Sequence, residues 1–118
     1  MKVIAIDLDG TILKKIPWQG VHWFGKPQKK VREAMTFLKK HGFEILIHST
    51  RLNPAINEWP LPRLKLNVFD ILVEHRIPFD NIFTGTGKPL ADFYVDDRAV
   101  RFDGDWEATL KEILGRAG

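Results

Sequence analysis

The chain has 118 residues, 44% of them apolar and 28% charged, with no cysteine and a net charge of +3. That is enough for one domain around one core, and it excludes a disordered chain, a disulfide scaffold and any thiolate nucleophile or thiolate metal site. No apolar run approaches the ~20 residues a bilayer crossing needs, and no leader pattern precedes the first apolar run, so a cytoplasmic protein without a membrane partner is expected.

In chain order, Lys2 to Leu8 is apolar nearly throughout and reads as a buried strand. It ends in Asp7-Leu8-Asp9-Gly10-Thr11. Residues 10 to 28 show no clean period, hold two prolines and read as an irregular loop or short flap. Val31, Ala34, Met35 and Leu38 recur at helical spacing and predict a helix that stops at His41-Gly42. The lysines and arginines at 26, 29, 30, 32, 39 and 40 read as its wet face. A nucleic acid stays among the partners so modest a positive charge permits, without being argued by it.

Phe43 to His48 predicts a second strand, followed by Ser49-Thr50-Arg51. The proline-rich stretch 53–62 predicts a loop. Leu64 to Arg76 predicts a helix with Leu64, Val68, Ile71 and Leu72 on one side. Residues 77–83 turn into a short third strand, and Gly85-Thr86-Gly87-Lys88-Pro89 lies in a glycine-rich turn. This is not a nucleotide-binding P-loop, because the spacing differs and proline follows the lysine. Ala91 to Val95 predicts a fourth strand ending in Asp96-Asp97, and Ala99 to Phe102 a fifth. Asp105 predicts the N-cap of a closing helix over 106–116.

Strands alternating with helices imply a mainly parallel sheet covered on both faces, with ligands beyond the carboxyl ends of the strands. Asp7 and Asp9, then Ser49-Thr50-Arg51, then Asp96-Asp97 should therefore meet at one edge. Carboxylates crowded there repel one another, and an all-oxygen set suits Mg²⁺. A carboxylate can also attack phosphorus, while a second one protonates the leaving oxygen and later deprotonates water. Thr11, Ser49 or Thr50, and Arg51 offer donors to phosphoryl oxygens. Lys88 offers a positive charge. His48 reads as a strand side chain.

These pieces in this order resemble the haloacid dehalogenase (HAD) superfamily of aspartate-nucleophile phosphotransferases. Asp7-Leu8-Asp9-Gly10-Thr11 is similar to its first motif, Ser49 or Thr50 to the hydroxyl of the second, Lys88 to the third and Asp96-Asp97 to the fourth. The resemblance implies a three-layer Rossmann-like α/β fold and a Mg²⁺-dependent phosphatase acting through an aspartyl-phosphate. Asp7 is then the nucleophile and Asp9 the general acid/base. Mg²⁺ is held by the Asp7 carboxylate, the Asp9 main-chain carbonyl and Asp96, with Asp97 as a further ligand or partner of the metal's waters. Ser49 and Lys88 hold the phosphoryl group.

Neither the 12–27 segment nor 52–87 has room for a folded cap, so one capless domain over 1–118 is expected, with a flap at 12–27. Pro17, Trp18, Trp23 and Phe24 in the flap either pin it to the body or stack a base or sugar. An open site suits a large phosphorylated substrate, or an oligomer whose neighbouring subunit closes it. Two other classes compete. A receiver-type phospho-acceptor module has similar parts, but its acidic pair ends the first strand. A non-catalytic or regulatory protein could keep the fold alone.

Overall fold

A computed structural model describes residues 2–118. Four parallel strands, β1 (Val3–Asp7), β2 (Glu44–His48), β3 (Asn81–Ile82) and β4 (Phe93–Val95), form one sheet in the order β3-β2-β1-β4. The helices are α1 (Val31–Lys40), α2 (Leu61–Glu74) and α3 (Trp106–Ala117). The fold is α/β with an all-parallel sheet and, among the described residues, no cap domain, as the sequence predicts.

β1 is central because it is apolar on both faces: Ile4, Ala5 and Ile6 are all buried. Register places Ile4 beside Ile45 and Ile6 beside Ile47, and these isoleucines share a face. They form one core with Val31 and Met35 of α1 and Leu64, Val68 and Leu72 of α2. The connections β1–α1–β2 and β2–α2–β3 step the same way across the sheet, so right-handed crossovers set both helices on that face.

The chain then returns from β3 at one edge to β4 at the other without a helix. Ala5, Leu46 and Tyr94 share the opposite face by register. There the return loop seats its buried Pro89, whose carbonyl accepts the Tyr94 hydroxyl at 2.5 Å. This second layer is thin. Thr109 is the buried residue of α3, whereas Trp106, Leu110, Ile113 and Leu114 are exposed.

Several boundaries differ from expectation. α2 starts at Leu61, inside the predicted loop, because Pro62 falls in its first turn, where a helix needs no N–H from it. Residues 99–102 form no strand; Phe102 packs on Trp106 instead, with ring centroids 4.9 Å apart. Val3–Asp7 and Glu44–His48 are slightly shorter than read. Asp105 caps α3 as predicted, accepting the Glu107 and Ala108 amides.

Candidate active site

The topology brings the ends of β1, β2 and β4 together. Asp7 is level with His48 in register, and Ile6 with Val95, one residue before Asp96. Asp7, Asp96 and Asp97 each offer a carboxylate oxygen within 4.8 Å of the others. Gly10 makes this approach feasible. Its φ is +86°, and a Cβ there would stand 2.4 Å from an Asp97 carboxylate oxygen, so a side chain at this position would strain the turn and push the Asp97 carboxylate away. Thr11 ties the turn to the far end of the sheet, since its Oγ1 accepts the Asp97 amide at 3.2 Å.

Burial, with Asp96 and then Asp97 adding repulsion, raises the Asp7 pKa from 3.8 to about 7. Three hard oxygen donors converging on one space, one of them destabilised as a bare anion, fit a Mg²⁺ ion. His48 stands beside them. Burial lowers its pKa against the opposing pull of Asp96, and its Nε2 is buried without a partner. It is close enough to Asp96 to feel its charge but does not line the cleft over the acids, in keeping with its reading as a strand side chain.

Asp9 is held apart from the acidic triad. Arg51 grips it in a two-point pair, Nε to Oδ2 at 2.7 Å and Nη2 to Oδ1 at 3.0 Å. The Asp9 carboxylate is therefore absent from the triad, which leaves its main-chain carbonyl as the atom it can offer an ion. Arg51 differs from the expected phosphate ligand. It is 3% exposed, and its other donors go to the carbonyls of Val21 at 2.6 Å and Trp23 at 2.5 Å. The fifth N–H, on Nη1, has only the Gly20 carbonyl at 3.5 Å, so at most one donor is left for a phosphoryl group.

A cleft of about 380 Å³ opens over this floor, lined by Asp7, Asp9, Ser49, Thr50 and Asp96 below and by flap residues above. Ser49 Oγ accepts the Arg51 amide at 3.1 Å and so caps the short turn at Thr50–Leu52. Thr50 is exposed in the same wall, and both residues line the cleft. Thr11 is not among the lining residues, because its hydroxyl is turned to the Asp97 amide. Lys88 also lies outside the lining. It is exposed, with its amine 4.3 Å from the Tyr94 ring centroid, and among the described residues it forms no ion pair. The cations that do line the cleft are Lys15, Arg51 and Arg98. Sequence reasoning passed over Lys15 and Arg98; Arg98 directly follows the acidic pair, which was the available clue.

No family model matches the chain, and no curated protein matches it. Solved structures do. A structural-genomics target from Vibrio cholerae is 28% identical, with a TM-score of 0.55 over 98% of this chain and 99% of that one. A conserved protein from Bacteroides thetaiotaomicron is 19% identical, with a TM-score of 0.59 over 98% of this chain and 91% of that one. A D,D-heptose 1,7-bisphosphate phosphatase from B. bronchiseptica, solved with magnesium and phosphate, is 14% identical, with a TM-score of 0.46 over 99% of this chain and 64% of that one. The first two matches run nearly end to end, so the chain shares its fold with proteins of similar extent.

Proposed function

We propose that this chain is a Mg²⁺-dependent phosphomonoesterase that works through an aspartyl-phosphate. The observation that carries the reading is the Asp7 carboxylate, packed against Asp96 and Asp97 at the floor of an open cleft. Asp7, Asp96 and the Asp9 main-chain carbonyl, with Asp97 beside them, are the groups to hold the ion. When bound, Mg²⁺ offsets the repulsion between carboxylate and phosphate.

Asp7 attacks phosphorus in line with the leaving oxygen, and a proton held on Asp9 goes to that oxygen as the P–O bond breaks. Asp9 then takes a proton from water, which attacks phosphorus and frees Asp7 and inorganic phosphate. Arg51 occupies one lone pair on each Asp9 oxygen. A carboxylate has about four acceptor directions, so the pair orients Asp9 and leaves it free to handle the proton. The Ser49 or Thr50 hydroxyl donates to a phosphoryl oxygen. In-line transfer of this kind depends on positioning and charge, which a rigid strand end supplies.

The test is hydrolysis of a generic aryl phosphate by the purified protein, with Mg²⁺ and with chelator. Turnover should require Mg²⁺, and Asp7→Asn should lower kcat by about 10³-fold or more. Normal turnover by Asp7→Asn removes the proposed nucleophile. Mg²⁺ binding with no hydrolysis across a broad ester panel makes the chain a binding protein on the same fold.

A further inference from the structure

The flap is welded to the body. Its stems pair through Lys14 N–H to the Lys26 carbonyl at 2.7 Å and Gln28 N–H to the Ile12 carbonyl at 2.9 Å. Its crest is gripped from below by Arg51 at Val21 and Trp23, and Asn67 Nδ2 donates to the Val21 carbonyl at 2.6 Å. The Arg51 guanidinium also lies 4.1 Å from the Phe24 ring centroid and 5.0 Å from that of Trp18. Phe24 is packed against the core, but Trp18 remains 63% exposed on the rim of the cleft. A large aromatic held by a buried cation yet open to the cleft is a fixed platform, not a core side chain.

The neighbours of Trp18 in the outer wall are Ile16 and Pro17, which offer an apolar surface with no side-chain hydrogen-bonding group. Lys15 and Arg98 complete the rim, both exposed and in no ion pair among the described residues. They answer a need. The floor carries the carboxylates of Asp7, Asp9 and Asp96, which repel an incoming phosphate, and Lys88 lies outside the cleft.

Resting on the phosphomonoesterase reading above, we infer that Trp18, Lys15 and Arg98 form a subsite that selects nucleoside monophosphates: the base lies on Trp18, and the rim cations receive the phosphate. Hydroxyl-rich leaving groups such as a hexose find no matching polar partners on the apolar outer wall. A flat ring needs only an aromatic face and excluded water.

The experiment compares kcat/KM for nucleoside 5′-monophosphates and for a hexose phosphate, with Mg²⁺, in the parent protein, Trp18→Phe, Trp18→Ala, the double variant Lys15→Ala/Arg98→Ala, and Lys88→Ala. Nucleotides should be favoured by about tenfold, in line with single-base stacking. Trp18→Phe should keep most of that ratio, and Trp18→Ala should bring it close to one. The Lys15/Arg98 variant should raise KM for both substrate classes alike. Thermal melts of each variant separate a lost platform from a lost fold, with Trp18→Phe as the variant that keeps a ring over Arg51. A ratio near one in the parent protein, or one that survives in folded Trp18→Ala, overturns the base platform. A KM that rises in Lys88→Ala but not in the Lys15/Arg98 variant overturns the cation assignment. If no ester is hydrolysed, the phosphatase reading fails on its own, and calorimetric titration with the same two ligands decides the subsite. A nucleotide preference that depends on Trp18 sustains it, and equal binding ends it.

Discussion

The two ends of the sheet carry the same residue type under opposite conditions. At the amino end, Asp92 accepts the Val3 amide at 2.7 Å and Asp80 accepts the Ile45 amide at 2.7 Å, with Lys39 paired to Asp80 as well. At the carboxyl end, Asp7, Asp96 and Asp97 face one another, and among the described residues none of them forms an ion pair. Partial burial pushes against ionisation at Asp80, but the Ile45 amide and Lys39 outweigh it and its pKa is lowered. Burial and repulsion raise that of Asp7 to about 7. At Asp80 and Asp92 the protein supplies the donors and the carboxylate is structural; at Asp7 it withholds them and the carboxylate is available for chemistry.

The largest effect is expected where the two conditions meet, at Asp9, an acid on the functional edge that nevertheless has a full partner. Arg51→Ala removes the two-point pair and the donors to the flap carbonyls at once. It should cost about 3–5 kcal/mol in urea unfolding, with Arg51→Lys intermediate because an ammonium cannot fork. A loss below about 1 kcal/mol would show that the flap is held by something else.

The next effect has the opposite sign. In metal-free protein at pH 8, Asp7→Asn should stabilise by on the order of 2–4 kcal/mol, because it removes a carboxylate whose ionisation the fold resists. The folded pKa of Asp7 lies above its unfolded value of 3.8, so the folded state binds the extra proton. Its contribution to stability is full below about pH 4 and is lost as pH rises through about 7. Melting of the metal-free protein should therefore fall across that window. Saturating Mg²⁺ should flatten the curve, since the ion replaces the proton. A melting temperature that rises with pH across the window in the parent but not in Asp7→Asn would reverse this assignment.

At the other end of the sheet, Asp80→Ala should destabilise by about 1–3 kcal/mol at pH 7, leaving the Ile45 amide unpaired. Here the folded pKa is lowered, so the contribution is present above the unfolded value and fades as pH falls through the folded one. The cost of the substitution should thus shrink in acid, the reverse of Asp7. Smallest is Asp105→Ala, which removes a helix cap at a purely local site. About 1 kcal/mol is expected, read as faster amide exchange confined to α3. Faster exchange in β1 as well would mean that α3 is coupled to the sheet more tightly than its exposed face implies.

Much of this was legible in the chain. The apolar run before Asp7 read as a buried strand, and the spacing of Val31, Ala34, Met35 and Leu38 as a helix, and the structure has both. The rule that parallel strands gather their ligands at their carboxyl ends then placed Asp7, Ser49 and Asp96 together, and the structure has them around one cleft. The partial layer over Tyr94 was less legible. The glycine-rich turn before β4 was readable, and all ten residues between β3 and β4 pass as loop, but nothing in their spacing said that Pro89 would be seated in that layer.

Local pattern determined four of the five expected strands, most helix positions and the cluster of acids, because those depend on periodicity and on topology rules acting over short stretches. Tertiary structure alone decided which acid is free and which is held. Arg51 reaches Asp9 across 42 positions in sequence, and it meets the flap only because the 20–24 crest folds down onto Arg51 and Asn67 of α2. Lys88 misses the cleft and Lys15 and Arg98 line it for the same reason. The direction of a long side chain on a loop is set by the path of the backbone around it and by the carbonyls and rings it meets, and neither is written in the spacing of residue types.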